Sequence, residues 1–264
     1  LLAAVEQRPD SPELRVLLAT QLQQSGKTAE ACDQYAVLLK QNPELISDNF
    51  YQVQNIFQQA GREGDLGKAL LEVDLKRFRQ PYYAINVVSS LLSKEATREH
   101  GIQLFERCFN EIPSYRSQLI GNLHDDSALK DPRVFDLVSK CLIPSDAQVA
   151  SEPWYGFDQI NSYSSGGRAN GMVDRLLSGT KGSEQARKLR NQVEERLSTA
   201  PGWNGGRAMI AVLDIHEGHR DAGVAALQQL FPADAKLEEI PMAAMWLVAQ
   251  QIDQDASSRD LAIK

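Results

Sequence analysis

The chain has 264 residues, 42% of them hydrophobic and 24% charged, with a formal net charge of −7. These fractions are those of an ordinary globular protein with enough chain for one or two cores, and they exclude a disordered, collagenous or coiled-coil molecule. No apolar run approaches the roughly 20 residues that a membrane span requires, and an acidic balance argues against nucleic acid as the main partner.

The chain starts at Leu1, and no basic segment followed by an apolar stretch stands there, so a signal peptide is expected to be absent or already removed. Leu1–Gln7 reads as the end of a helix and Ser257–Lys264 as the start of another, which predicts a segment of a longer protein. Cys32, Cys108 and Cys141 lie 76 and 33 residues apart. That spacing fits neither a zinc clip nor a dense disulfide framework. Each cysteine sits among apolar residues at helical spacing, which predicts buried thiols and favours a reducing, cytoplasmic compartment.

Ser11 followed by Pro12 reads as a helix start, because proline at the first helical position forfeits no hydrogen bond. Leu14, Leu17, Leu18 and Leu22 then fall on one helical face, and Gly26 stops the helix. A second helix carries Ala31, Tyr35, Leu38 and Leu39 on one face and ends before Pro43, which stands 34 residues after Pro9.

This unit resembles a tetratricopeptide repeat, a helix–turn–helix of 34 residues. Ala19 stands where the family places glycine or alanine, and Ala31, Tyr35 and Pro43 match the later signature. Arg15 and Leu22 replace its usual tryptophan and tyrosine. The resemblance implies an α-α superhelix, a right-handed solenoid of antiparallel helix pairs, that acts as a protein–protein interaction scaffold.

Similar pairs continue along the chain. Phe50, Val53 and Phe57 precede a turn at Gly61–Gly64 and a partner helix with Leu66, Ala69, Leu70 and Leu75. Next come Ile85, Val88 and Leu92 with Ile102, Phe105 and Phe109, closed by Pro113. A fourth pair sets Tyr115, Leu119 and Leu123 against Val134, Leu137, Val138 and Cys141, with Asp131–Pro132 as another cap-then-proline start. Residues 145–166, rich in Ser, Gly and Asn, read as a linker or capping segment. Gly166-Gly167-Arg168-Ala169 then recurs 39 residues later as Gly205-Gly206-Arg207-Ala208, with Gly179 and Gly218 in the same register. Met242, Met245, Trp246 and Ala249 begin a further pair. The expected organisation is therefore a repeat block over 1–144, a joint over 145–166 and a second helical block over 167–264. No segment alternates β-branched and polar residues, so little or no sheet is expected.

Signatures of catalysis are absent: there is no nucleophile elbow, H-E-x-x-H, phosphate-binding glycine loop or dinucleotide fingerprint. The chain is accordingly expected to be non-catalytic and to carry no cofactor. Among the histidines, Asp214-Ile215-His216-Glu217-Gly218-His219 offers the best metal-ligand set. A turn at Gly218 would carry His219 away from His216, and no metal is predicted. His124-Asp125-Asp126 cannot act as a charge relay, because adjacent residues on a helix do not face each other. Lys76, Arg77 and Arg79 beside Tyr82 and Tyr83 read as favourable charges at a helix C-terminus rather than as a base-stacking site.

Opposite the apolar face of its helix, Tyr51, Asn55 and Gln59 recur at i, i+4 and i+8, and Tyr82, Asn86 and Ser90 repeat the pattern in the next first helix. By resemblance these stripes would be neighbouring rungs of a concave groove. Asparagine amides that both donate and accept suit the backbone of an extended peptide. In the first pair Val16 and Thr20 occupy the equivalent places, without the Lys and Asn of the family's carboxylate clamp, and Asn122 in the fourth reads as turned toward the apolar face. Trp154, Tyr155 and Phe157 offer a second interface or a packed linker. The expected partner is thus a protein or peptide, with a regulatory or substrate-docking segment of a larger enzyme as the alternative.

Overall fold

The computed structural model describes residues 2–8, 10–78, 80–123, 128–156 and 184–230. Pro9, Arg79, the motif at 124–126, Phe157, the first glycine repeat at 166–169, Gly179 and the helices expected near 242–249 and 257–264 lie outside the described residues. All regular elements among the described residues are helical and none is a strand, so the protein is all-α. Two compact units divide at Ala128 and Leu129. The joint expected over 145–166 falls inside the second unit; residues 145–156 of it are described and 157–166 lie outside the described residues.

The first unit contains α1 (Leu2–Gln7), α2 (Pro12–Gln24), α3 (Thr28–Gln41), α4 (Pro43–Ile46), α5 (Phe50–Gln59), α6 (Glu63–Leu71), α7 (Tyr82–Leu92), α8 (Arg98–Glu111) and α9 (Arg116–Gly121). Ser11 and Pro12 start α2 as their sequence predicts, although the Ser11 hydroxyl donates to Glu13 Oε2 instead of capping the backbone. Gly26 and Gly61 stand at φ 77° and 66°, the left-handed turn that a side chain would strain. Pro43 does more than close α3: it opens the single turn of α4 that leads into α5.

Within each pair, α2 packs on α3, α5 on α6 and α7 on α8. Between pairs, α3 packs on both α5 and α6, and α6 on both α7 and α8, while α8 meets α9. The first helices also run beside one another, α5 against α7 and α7 against α9. Each pair therefore buries its apolar stripe on the next, which places Phe50, Phe57, Phe105, Leu38, Leu66 and Leu91 out of solvent. Helices α7 and α8 cross so closely at Gly101 that a Cβ there would stand 2.9 Å from the Leu92 backbone nitrogen and 3.0 Å from Leu91 Cβ.

Polar bonds reach back by about one repeat. Arg62 donates to the Ala29 carbonyl at 2.7 Å, 33 residues earlier, and pairs with Asp33 at 2.8 Å. Arg77 bridges to Glu44 across the same interval of 33. Arg107 donates to the carbonyls of Leu70, Leu71 and Val73 at 3.0, 2.6 and 2.9 Å, while Glu111 grips it from its own helix. Those carbonyls belong to the last turn of α6 and the residues after it, where helical geometry leaves acceptors without intrahelical donors.

The structure changes several local expectations. Leu17 is 55% exposed, because the buried side of α2 is made by Leu18, Ala19 and Leu22. Leu75 is buried but lies beyond α6, in a 3-10 turn at Leu75–Arg77. The expected fourth pair is divided between the units, with α9 in the first and α10 (Pro132–Leu142) in the second. Helix α10 buries Val134, Phe135, Val138 and Leu142, a stripe that leaves Cys141 half-buried.

The second unit continues with α11 (Asp146–Ser151), α12 (Glu184–Thr199), α13 (Asn204–Glu217) and α14 (Arg220–Gln229). Helix α12 packs on α10 and α13, and α13 on α14. Asp131 caps α10 by accepting from the Arg133 amide, and a reciprocal capping box between Ser145 and Gln148 starts α11. Gly218 ends α13 at φ 98°. Trp203, fully buried, anchors this unit.

Two substitutions test the pair-on-pair packing. Gly101→Val should lower the unfolding free energy by about 1–3 kcal/mol through overpacking at the α7–α8 crossing. Arg107→Ala should cost about 2 kcal/mol by stranding carbonyls at the end of α6. Urea denaturation followed by circular dichroism measures both.

Candidate functional site

Phe50, the first residue of α5, is fully buried and organises an aromatic chain. Its ring meets Phe78 edge-on at 5.6 Å and Tyr83 at 5.7 Å, and Tyr83 lies against Tyr82 at 4.7 Å. The chain thus leads from the core of the α5–α6 pair to the half-buried start of α7. The inward residues Val53, Ile56 and Phe57 set the rotation of α5. Turned the other way, Tyr51 is 67% exposed, Gln59 is exposed and Asn55 is half-buried. In α7 the inward residues are Ala84, Ile85, Val87, Val88, Leu91 and Leu92, which leaves Tyr82, Asn86 and Ser90 half-buried.

Of these stripe residues, Asn86 is already engaged. Its side-chain oxygen accepts from the Asn122 amide at 3.2 Å, and the Ser89 hydroxyl donates to the Asn122 carbonyl. Asn122 is the residue that ends α9, so the bonds tie the first helix of one pair to the next. Its sequence position alone reads as turned toward the core. The structure half-buries it against α7, because α9 lasts only six residues and its end reaches Asn86. Tyr83, Ser89 and Asn122 join the face without having been marked by the spacing of Tyr82 and Asn86; the one-turn step from Asn86 to Ser89 was the available signal.

Trp154 and Tyr155 are both half-buried, in the second unit. The Tyr155 carbonyl accepts from the Trp203 indole N–H at 2.9 Å, and the Pro153 carbonyl accepts from the Gly205 amide at 2.9 Å. The glycine pair that opens α13 explains this closeness. A Cβ at Gly205 would stand 2.5 Å from the Tyr155 oxygen, and one at Gly206 would stand 2.3 Å from the Trp203 ring. The Gly205-Gly206 half of the internal repeat is therefore a seat for a tryptophan and a passing backbone. Phe157 lies outside the described residues.

Asp214, Glu217 and His219 bring ligand atoms within 4.8 Å of one another. Arg190 occupies that cluster, with Nη2 at 2.7 Å from Asp214 Oδ1 and 2.8 Å from Glu217 Oε2. Burial opposes charge on Arg190, but hydrogen bonds and attraction from the two carboxylates outweigh it and raise its pKa. A cation entering there would meet the guanidinium first, so these residues do not fit a metal as they stand. The approach of His219 to Asp214 and Glu217 follows from the left-handed turn at Gly218, whose next amide returns to the Asp214 carbonyl.

Burial suppresses the chemistry of Cys32 and Cys108. Desolvation pushes the Cys108 thiol up to about 12, with Arg107 only partly opposing it. Burial likewise raises Cys32, against the pull of Arg62. Neither thiol offers the thiolate that nucleophilic or metal-binding cysteines require near neutrality. A cleft of about 530 Å³ between α12, α13 and α14 is lined by Leu197, Ile210, Ala211 and Ala226 together with Glu194 and Arg207.

Cys108 sets a pH dependence. Its folded pKa lies above its unfolded value of 9.0, so the stability it contributes is complete below pH 9 and declines as pH rises toward 12. Cys108→Ala should flatten that decline in denaturation curves taken across the same range. Separately, Gly206→Ala should displace the Trp203 ring, red-shift its emission and destabilise the second unit by about 1–3 kcal/mol. No family model matches the chain, nor does any curated protein or solved structure.

Proposed function

We propose that this chain is a tetratricopeptide-like scaffold, a right-handed solenoid of antiparallel pairs that binds a peptide or protein along the face made by its first helices. The observation that carries this reading is the packing of the first unit. First helices run beside first helices, second beside second, and bonds such as Arg62 to Ala29 recur at an interval of 33 residues. The match of Ala19, Ala31, Tyr35 and Pro43 to the repeat signature supports it further. In such an array α5 and α7 would line a concave groove, with Tyr51, Asn55, Gln59, Tyr82 and Asn86 toward the ligand. The surface works by shape and hydrogen bonding, as helix-built recognition grooves do. Tyrosine supplies broad contact area at little entropic cost.

Site-specific photocrosslinking tests the reading. A benzophenone side chain at position 55 should give discrete protein adducts in a native lysate. The same group at position 30, on the second helix α3, should give none that survive competition by unlabelled protein. Adducts from position 30 alone would place recognition on another face.

A further inference from the structure

Helices α5 and α7 differ from the rest of the first unit in a way that bears on what they bind. Together they span 10 and 11 residues without one Asp, Glu, Lys or Arg. At the 24% charge of the whole chain, about five would be expected over that length. Every position of the two helices that is not buried holds tyrosine, glutamine, asparagine or serine. The second helices of the same pairs carry the charges: Glu63, Asp65 and Lys68 on α6, and Arg98, Glu99, Glu106, Arg107 and Glu111 on α8. Among the described residues the other α-helices all carry charged side chains, and α5 and α7 are the exception. Depletion of charge with exposed tyrosine is the composition of an interface core.

From this we infer that the partner docks an uncharged, extended peptide segment on the α5–α7 face, an inference that rests on the scaffold reading above. Three cations at the edges of the two pairs are already engaged, Lys40 with Glu72, Arg77 with Glu44 and Lys94 with Glu63. A phosphate, carboxylate or ammonium brought onto α5 and α7 would lose hydration and meet no countercharge there. Backbone amides of an extended peptide need one acceptor and one donor per residue, and the side chains of Gln52, Gln54, Asn55, Gln58 and Gln59 each offer both. Tyr51, at 67% exposure, provides a flat ring beside them. Single-stranded nucleic acid fits poorly, because stacking on tyrosine is normally joined by cations that track the phosphates.

Two displayed libraries of random peptides of about 12 residues, one with all amino acids and one without Asp, Glu, Lys and Arg, test the inference on the full chain. Both should yield binders that are neutral over the bound stretch. Their affinity should change less than about twofold between roughly 50 and 500 mM salt, since screening acts on charges. The double variant Tyr51→Ala, Asn55→Ala, with circular dichroism confirming its fold, should weaken them at least about tenfold. Binders that carry recurrent charges, lose about tenfold with salt and still depend on Tyr51 and Asn55 would overturn the neutral partner while leaving the scaffold reading intact. Binders indifferent to the double variant, no binders at all, or preferential binding of a neutral oligosaccharide or an oligouridylate would overturn both.

Discussion

A helix pair of this size cannot bury its apolar stripe by itself. Each residue ordered costs about 1–2 kcal/mol of backbone entropy, while a fully buried leucine returns roughly 1.5–3 kcal/mol. One pair has too few such side chains with too little cover, and the next pair supplies the missing surface. In the first unit that constraint decides nearly everything. Helix α3 touches both helices of the following pair, as does α6, and the large aromatics Phe50, Phe57 and Phe105 are covered as a result. Stacking also creates a polar problem, because the carbonyls that end one helix are brought under the next pair. Arg107 resolves it by donating to three of them, with its own charge balanced by Glu111.

The same constraint divides labour between helices. Second helices lie between neighbours, and they and the turns beside them carry the arginines, lysines and carboxylates that fasten pair to pair. First helices pack inward on one side only, so their other side is released from structural duty. On α5 and α7 that released side is neutral, and Asn86 and Ser89 on it hold Asn122. The aromatic chain from Phe78 through Phe50 to Tyr83 and Tyr82 joins this face to the core of the α5–α6 pair.

The second unit uses a different anchor. Trp203 is buried beside two glycines whose missing side chains make room for its ring and for the backbone at Tyr155. The indole N–H must find an acceptor once it leaves water, and the Tyr155 carbonyl provides it. Space here is a matter of steric fit, and the Gly205-Gly206 pair is a packing device. The acidic cluster near Gly218 has a similar explanation: Arg190 is the cation that Asp214 and Glu217 hold.

Helix periodicity made the all-α class legible from residues alone, because an apolar stripe at i, i+3 and i+4 can be buried in only one regular conformation. The turns at Gly26, Gly61 and Gly218 were legible for the same local reason, since only glycine enters the left-handed region without strain. So was the exposure of Tyr51, which sits opposite Phe50, Val53 and Phe57. Tertiary structure alone decided which carbonyls Arg107 satisfies, that Asn122 turns to Asn86, that Leu17 stays in water and that Trp203 needs Gly206 bare. Each of these depends on residues that are distant along the chain or on which side of a helix receives a neighbour. A one-dimensional pattern gives the angle around a helix axis; it does not give the partner that arrives there.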